Sequence, residues 1–217
     1  HQRGMSATFR IIPPEIPTLQ SLGLPEVVRK VLDNHQGLIL VTGATGQGKT
    51  TTLAAMVDYI NENRAHHVLT VEDPVEFIHP FKKGVVNQRQ LHYDTLSYKN
   101  SLKAALREDP DVIMIGELRD LETISLAISA AETGHLVLGT LSTTNAPKTV
   151  DRIIDSYPAG EQSQVRAALS EILKAVITQK LLPGASGDKM VLATEILIGT
   201  VPVASMIRDS KVFQIPN

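Results

Sequence analysis

Short apolar runs alternate along the chain with segments whose apolar residues recur at helical spacing. Leu38-Ile39-Leu40-Val41 is bounded by glycines and reads as a buried parallel strand. Residues 67–71, 84–88, 112–115 and 135–141 read as further strands. Between them lie helical patterns. Pro25, placed at the N1 position, starts a helix with apolar positions 27, 28, 31 and 32 on one face. Residues 98–107 put Leu102, Ala105 and Leu106 on one side, and a helix opening at Leu118 carries Ile124, Ala127, Ile128 and Ala131 to Glu132, where Gly134 ends it. Another helix covers 146–156. Residues 160–182 read as one longer helix, because Val165, Leu169, Ile172, Leu173 and Val176 fall at helical spacing, a stripe suited to a core. A hairpin-type loop at 183–188 leads to an apolar run at 190–197, and Pro202 starts a short last helix to Arg208.

This alternation predicts an α/β fold with a mainly parallel central sheet flanked by helices. Residues 1–20 stand apart: 7–12 read as a strand, and Pro13, Pro14 and Pro17 then make a stiff linker. The chain begins at His1 with no signal-like segment, and 1–20 are expected to be the tail of a missing N-terminal domain plus its linker. Residues 21–217 form the core domain, with 160–217 as its C-terminal helical and hairpin part. There is no internal repeat.

Composition narrows the possible functions. With 217 residues and 42% hydrophobic positions, the chain can bury one sizeable α/β core. No apolar run approaches a membrane span. A net charge of -2 gives no nucleic-acid footprint. Cysteine is absent, which removes disulfides, thiol nucleophiles and cysteine zinc sites and suits a reducing compartment.

The first strand feeds straight into Gly43-Ala44-Thr45-Gly46-Gln47-Gly48-Lys49-Thr50, followed by Thr51 and good helix material. The pattern fits G-x-x-x-x-G-K-[ST] without gaps, in the strand–turn–helix context that makes it a phosphate-binding loop. Glycines let backbone N–H groups curl around an anion. The helix opening at Lys49 adds unpaired N–H groups and the positive end of its dipole. Lys49 is expected on the β- and γ-phosphates and Thr50 on Mg²⁺.

Acids follow at strand ends. Glu72-Asp73-Pro74-Val75-Glu76 closes the second strand, where open α/β sheets gather ligand groups. A loop of solvated acids is the plainer reading of that cluster. Glu117 follows the apolar run 112–115 and a glycine, a loose Walker B pattern that also fits a surface glutamate after a buried strand. His135 opens the strand whose far end is the polar Ser142-Thr143-Thr144-Asn145, suited to sensing a γ-phosphate; a lone histidine serves structure or catalysis.

Five boxes then line up in order and spacing: 43–52, 72–77, 107–111, 116–123 and 131–135. Together they resemble the type II/IV secretion ATPases, and within them most closely the type IV pilus retraction (twitching motility) ATPases. The resemblance covers 7–217. It implies a RecA-like P-loop NTPase core that acts as a subunit of a homo-hexameric, Mg²⁺-dependent ATP-hydrolysing motor. It implies a cytoplasmic protein, peripheral at the inner membrane, working with a platform protein of the pilus machinery. Residues 1–12 resemble the end of the family's N-terminal PAS-like domain. By motif position Glu76 matches the catalytic glutamate, Glu117 the Walker B glutamate and metal partner beside Thr50, and His135 the first histidine of the His box. Arg3 and Arg10 fall where family arginines reach a neighbour's nucleotide.

Three departures accompany the match. Ser142 replaces the second His-box histidine. Gln47 stands where the P-loop usually has serine. Ala204 stands where the C-terminal motif, here Val203-Ala204-Ser205-Met206-Ile207-Arg208-Asp209, has its first arginine. The family's remaining C-terminal helices are expected to be missing after Asn217. Assembly and secretion members often carry a four-cysteine zinc motif where this chain has Pro183-Gly184-Ala185-Ser186-Gly187, which favours retraction over assembly. The alternatives are a pilus-assembly or type II secretion ATPase, a nucleotide-binding regulatory paralogue with little turnover, and a nucleic-acid translocase on the same core.

Overall fold

A computed structural model describes residues 4, 5, 7, 15–185, 187 and 189–215. The strand expected at 7–12, Arg3 and Arg10 lie outside these residues, Ala7 excepted. The elements run α1 (Glu26–Leu32), β1 (Gly37–Thr42), α2 (Lys49–Asn63), β2 (His67–Glu72), β3 (Val85–Gln90), α3 (Tyr98–Ala105), β4 (Val112–Ile115), α4 (Leu121–Glu132), β5 (Leu136–Leu141), α5 (Ala146–Asp155), α6 (Gln162–Ile172), β6 (Leu173–Pro183), β7 (Met190–Ile198) and α7 (Val201–Arg208), before a short 3₁₀ turn at Val212–Gln214.

The strands form one sheet of seven in the order β3-β2-β4-β5-β1-β6-β7. Every pairing is parallel except β6 with β7. The expected mainly parallel α/β architecture is therefore what the chain adopts. β1 is buried at all its positions because helices cover both faces. Its side chains alternate between two cores: Leu38 and Leu40 join the cluster under α4, α5 and α6, while Ile39 and Val41 join the one under α1 and α2. β4 divides likewise, with Ile113 and Ile115 on the first side and Val112 and Met114 on the second.

Parallel register brings the carboxyl ends of the strands to one rim. Thr42 pairs with Leu141, Ile115 with Gly139 and Val71 with Ile115. The glycine loop, the acidic loop after β2 and the loop after β4 all leave from that rim.

Three element readings are corrected. The long helix expected over 160–182 ends at Ile172, and the backbone passes directly into β6. Val165, Leu169 and Ile172 do face the core from α6, and Leu173 and Val176 reach the same cluster from a strand. The spacing coincides, but residues 175–178 fill the slot between β1 and β7, whose backbone groups pair with them on both sides. Tertiary pairing overrides the local period there. Pro25 is the extended N-cap of α1 and not its first residue. The helix expected from Leu118 starts at Leu121, capped by Asp120, whose carboxylate accepts from Thr123 N at 2.8 Å. The five residues before the helix are thus a loop with buried Leu118 as its anchor and Glu117 beside it.

The acidic loop is stapled to α2 further on. Lys82 Nζ donates to Asp58 Oδ2 at 2.9 Å, and Asn61 Nδ2 to Pro80 O at 2.8 Å. His79 lies buried in this seam, and burial pushes its imidazole down to about 4. A histidine kept neutral in the fold binds fewer protons than in the unfolded chain, so its contribution is intact above pH 6.5 and is lost as pH falls toward 4. Urea unfolding should show roughly 2 kcal/mol lower stability at pH 5 than at pH 7 from this residue. Glu72, raised by burial, acts in the opposite sense. The difference between the wild-type chain and His79→Gln isolates the histidine: an equal pH slope in both removes this account.

Candidate nucleotide-binding site

The glycine loop is held from below by a residue that sequence reasoning missed. Gln179, on β6 and nearly fully buried, donates from Nε2 to Gln47 O at 2.7 Å and accepts at Oε1 from Thr52 Oγ1 at 2.9 Å. Gln47 answers with its own side chain, whose Oε1 accepts from Leu181 N at 2.7 Å. The glutamine that departs from the family pattern therefore ties the loop to β6. Gly43 sits against the same strand at φ +144°, where a Cβ would lie 2.5 Å from Gln179 O. Only glycine fits that conformation and that approach. No sequence signal pointed to Gln179, because its strand reads as helix.

Gly48 caps α2 in the left-handed region at φ +81°. Lys49, first residue of the helix, folds over the loop and donates from Nζ to Gly43 O at 2.7 Å and Ala44 O at 3.1 Å. Burial pushes its ammonium down, while the Glu117 charge pulls it up.

The loop forms one wall of a cavity of about 420 Å³, within the usual range for small-molecule sites. Thr45, Gly46, Gly48, Lys49, Thr50 and Thr51 line it together with Glu72, Asp73, Glu76, Tyr98, Glu117, Arg119 and Thr140. Of the expected residues, Gly43, Ala44 and Gln47 shape the loop from outside the lining, and the others named from Thr45 to Thr51 face the cavity together with Glu76 and Glu117.

His135 does not join them. It precedes β5 at the opposite rim, since Leu136 pairs with Gly37 and Leu141 with Thr42. Six residues of strand separate it from the cavity end by about 20 Å. Its Nδ1 lies 2.9 Å from Ala130 O, and its own N donates to the same carbonyl at 3.1 Å. It therefore closes the end of α4. The two ends of the His box are close in sequence, but a strand spans the sheet between them.

The acids owe their placement to β3. Gln88 donates from Nε2 to Phe77 O at 2.8 Å and to Glu72 Oε1 at 3.1 Å, and its Oε1 accepts from His79 N at 2.9 Å. Gln90 Oε1 accepts from Val75 N at 3.2 Å. These two side chains shape the loop that presents Glu76, which is half-buried in the cavity wall. Glu72 is buried and accepts from Thr70 Oγ1 at 2.7 Å; burial raises its carboxyl despite the hydrogen bonds. Tyr98 is pushed up to about 12, first by burial and then by the Asp73 charge.

Glu117 is held on both oxygens. Arg119 Nε meets Oε2 at 2.5 Å, and Ser142 Oγ donates to Oε1 at 3.3 Å. The hydroxyl of Ser142, expected at the second His-box position, thus reaches Glu117.

The donor set suits a nucleotide with Mg²⁺. Mg²⁺ keeps several waters and takes one or two carboxylates plus substrate phosphates, not an all-protein cage. Among the described residues no group of three or more His, Asp or Glu side chains converges to hold a metal. Thr50, with a hydroxyl, and Glu117, with a carboxylate, line the same cavity, a partial set of the kind that a phosphate-bound Mg²⁺ could take.

The chain matches the family model described as Type II/IV secretion system protein over residues 3–199. It is 55% identical over 212 residues to the type IV pilus retractation ATPase PilT of Pseudomonas aeruginosa, covering 98% of this chain and 61% of that protein. It is 55% identical over 213 residues to a twitching motility protein of Neisseria gonorrhoeae, covering 98% of this chain and 57% of the relative. A crystal structure of the pilus retraction motor PilT with bound ADP superposes with a TM-score of 0.92 at 51% identity, covering 95% of this chain and 60% of that one. This chain thus spans about three fifths of the relatives it matches. On its motifs, its sheet and these matches, the chain belongs to the type II/IV secretion system protein family.

Proposed function

We propose that this chain is the ATP-hydrolysing part of a pilus retraction motor subunit, acting with Mg²⁺. The observation that carries the reading is the cavity itself, in which the glycine loop faces Glu76 and Glu117. The retraction ATPase relatives supply the pilus. The P-loop backbone and Lys49 hold the phosphates. Thr50 and Glu117 hold the metal. Glu76 orients or deprotonates the attacking water for in-line displacement at the γ-phosphoryl, and the metal, when bound, would supply positive charge to the phosphates. Residues 21–217 serve as the ATPase domain and 1–20 as the tail of a preceding domain with its linker. The working form is a homo-hexamer in which a neighbour completes each site. It acts in the cytoplasm at the inner-membrane pilus machinery, against a platform protein. No described helix is long and apolar enough to cross a membrane.

Ser142 and Ala204 favour one second reading, a subunit that binds ATP with little turnover beside an active paralogue. ATP turnover per chain, measured against protein concentration, separates the two. A rate rising with concentration supports sites completed by a neighbour. A flat rate removes the hexamer. Bound ATP without turnover at any concentration leaves the regulatory subunit.

A further inference from the structure

Glu117 presents an arrangement that ATP hydrolysis alone does not explain. A carboxylate that is to hold a metal needs an oxygen with its charge available. Here Oε2 is taken by Arg119 Nε at 2.5 Å and Oε1 by Ser142 Oγ at 3.3 Å. The two contacts differ in kind. Ser142 offers a neutral and longer hydrogen bond. Arg119 offers a charge-assisted one.

The pair is also built to open. Arg119 is two residues from its partner, on the loop between β4 and α4, and 62% of its side chain is exposed while 29% of Glu117's is. Exposed ion pairs contribute little and exchange readily with water and ions. Glu117 is held more firmly from behind. Gly116 N donates to Val71 O at 2.8 Å, Thr140 Oγ1 donates to Gly116 O at 2.6 Å, and Leu118 N donates to Thr140 O at 2.9 Å. The glutamate therefore stays in place while the arginine can leave. Asp73 lines the same cavity, so the guanidinium has another carboxylate to move toward.

We propose that Arg119 is a positioning residue that occupies Glu117 until Mg²⁺ and nucleotide displace it, so that metal and arginine compete for one carboxylate. This rests on the reading of Glu117 as the metal-holding acid. The latch keeps that carboxylate compensated and fixed in orientation when no cation is bound, and it makes full metal binding wait for the phosphates that supply the remaining ligands. The competition has a sign that a merely structural salt bridge lacks: removing the arginine strengthens metal binding.

The test measures binding of a fluorescent, non-hydrolysable ATP analogue to the chain at a series of Mg²⁺ concentrations, for wild type, Arg119→Gln, Arg119→Lys, Ser142→Ala and Glu117→Gln. In Arg119→Gln the Mg²⁺ concentration at half effect should fall by about two- to fivefold, the range an exposed ion pair can supply. Arg119→Lys should lie nearer to wild type, since the charge is kept. Ser142→Ala should shift it less than Arg119→Gln, since no charge is removed. An unchanged or higher Mg²⁺ requirement in Arg119→Gln, with Glu117→Gln still requiring more Mg²⁺ than wild type, overturns the latch and leaves the metal role of Glu117 standing. Equal Mg²⁺ requirements in Glu117→Gln and wild type overturn that metal role, and the latch with it. Circular dichroism of Arg119→Gln, an exposed substitution, should match wild type.

Discussion

Glu76→Gln should bind ATP with near wild-type affinity and lose turnover by about a hundred- to ten-thousandfold, the range attributed to a positioned general base. The substitution keeps the shape of the side chain and removes its ability to take a proton. Gln88 on Phe77 O, His79 N and Glu72 and Gln90 on Val75 N also shape the loop, and the substitution leaves these contacts in place. Glu76 lines the cavity from that loop, as do Lys49 and Thr50 from theirs. Steady-state phosphate release measured beside equilibrium nucleotide binding separates the two effects. Normal hydrolysis by the variant would remove Glu76 from the mechanism. A parallel loss of binding and turnover would make it a ligand for the phosphates' metal instead.

Lys49→Ala is expected to act on the other side of the balance, weakening ATP binding by roughly a hundredfold or more and abolishing turnover as a consequence. The ammonium is partly withdrawn from water, and burial already pushes its pKa down against the pull of Glu117. A phosphate chain would supply counter-charge to the ammonium in surroundings drier than the surface, which is why the point charge matters more here. Removing it also leaves the Gly43 and Ala44 carbonyls without the donor they now have. The loop should nevertheless keep its shape, because Gln179 and Gln47 tie it to β6 independently of the lysine. Thermal unfolding of the variant without nucleotide should therefore change little, while the stabilisation produced by ATP should disappear. A variant that retains full ATP-induced stabilisation would contradict the role assigned to Lys49.

Much of the site was legible before any coordinates. The glycine loop announces itself because its chemistry is local: a buried strand, glycines that free the backbone, and a helix start with a lysine lie in sequence order. The acidic box and Glu117 were legible for a related reason. Both follow strands, and parallel register brings the carboxyl ends of strands to one rim. Residues of all three segments line the cavity. His135 misled because it stands at the start of β5, and the strand carries the chain across the sheet before reaching the cavity.

The sequence by itself determined the strand and helix alternation, the parallel α/β class, the phosphate loop and the acids at two strand ends. These depend on periodicity and on contacts within a few residues. Only the tertiary structure decided that residues 173–183 form a strand, because the partners that make them one, β1 and β7, are remote in the chain. From that single reassignment follows Gln179 beneath the P-loop, an anchor 132 residues from the carbonyl it holds. The Gln88 and Gln90 scaffold and the Ser142 contact to Glu117 are likewise side-chain pairings between separate segments of the chain. A pattern along one segment cannot specify such pairings, since their energy exists only once the sheet has brought the segments together.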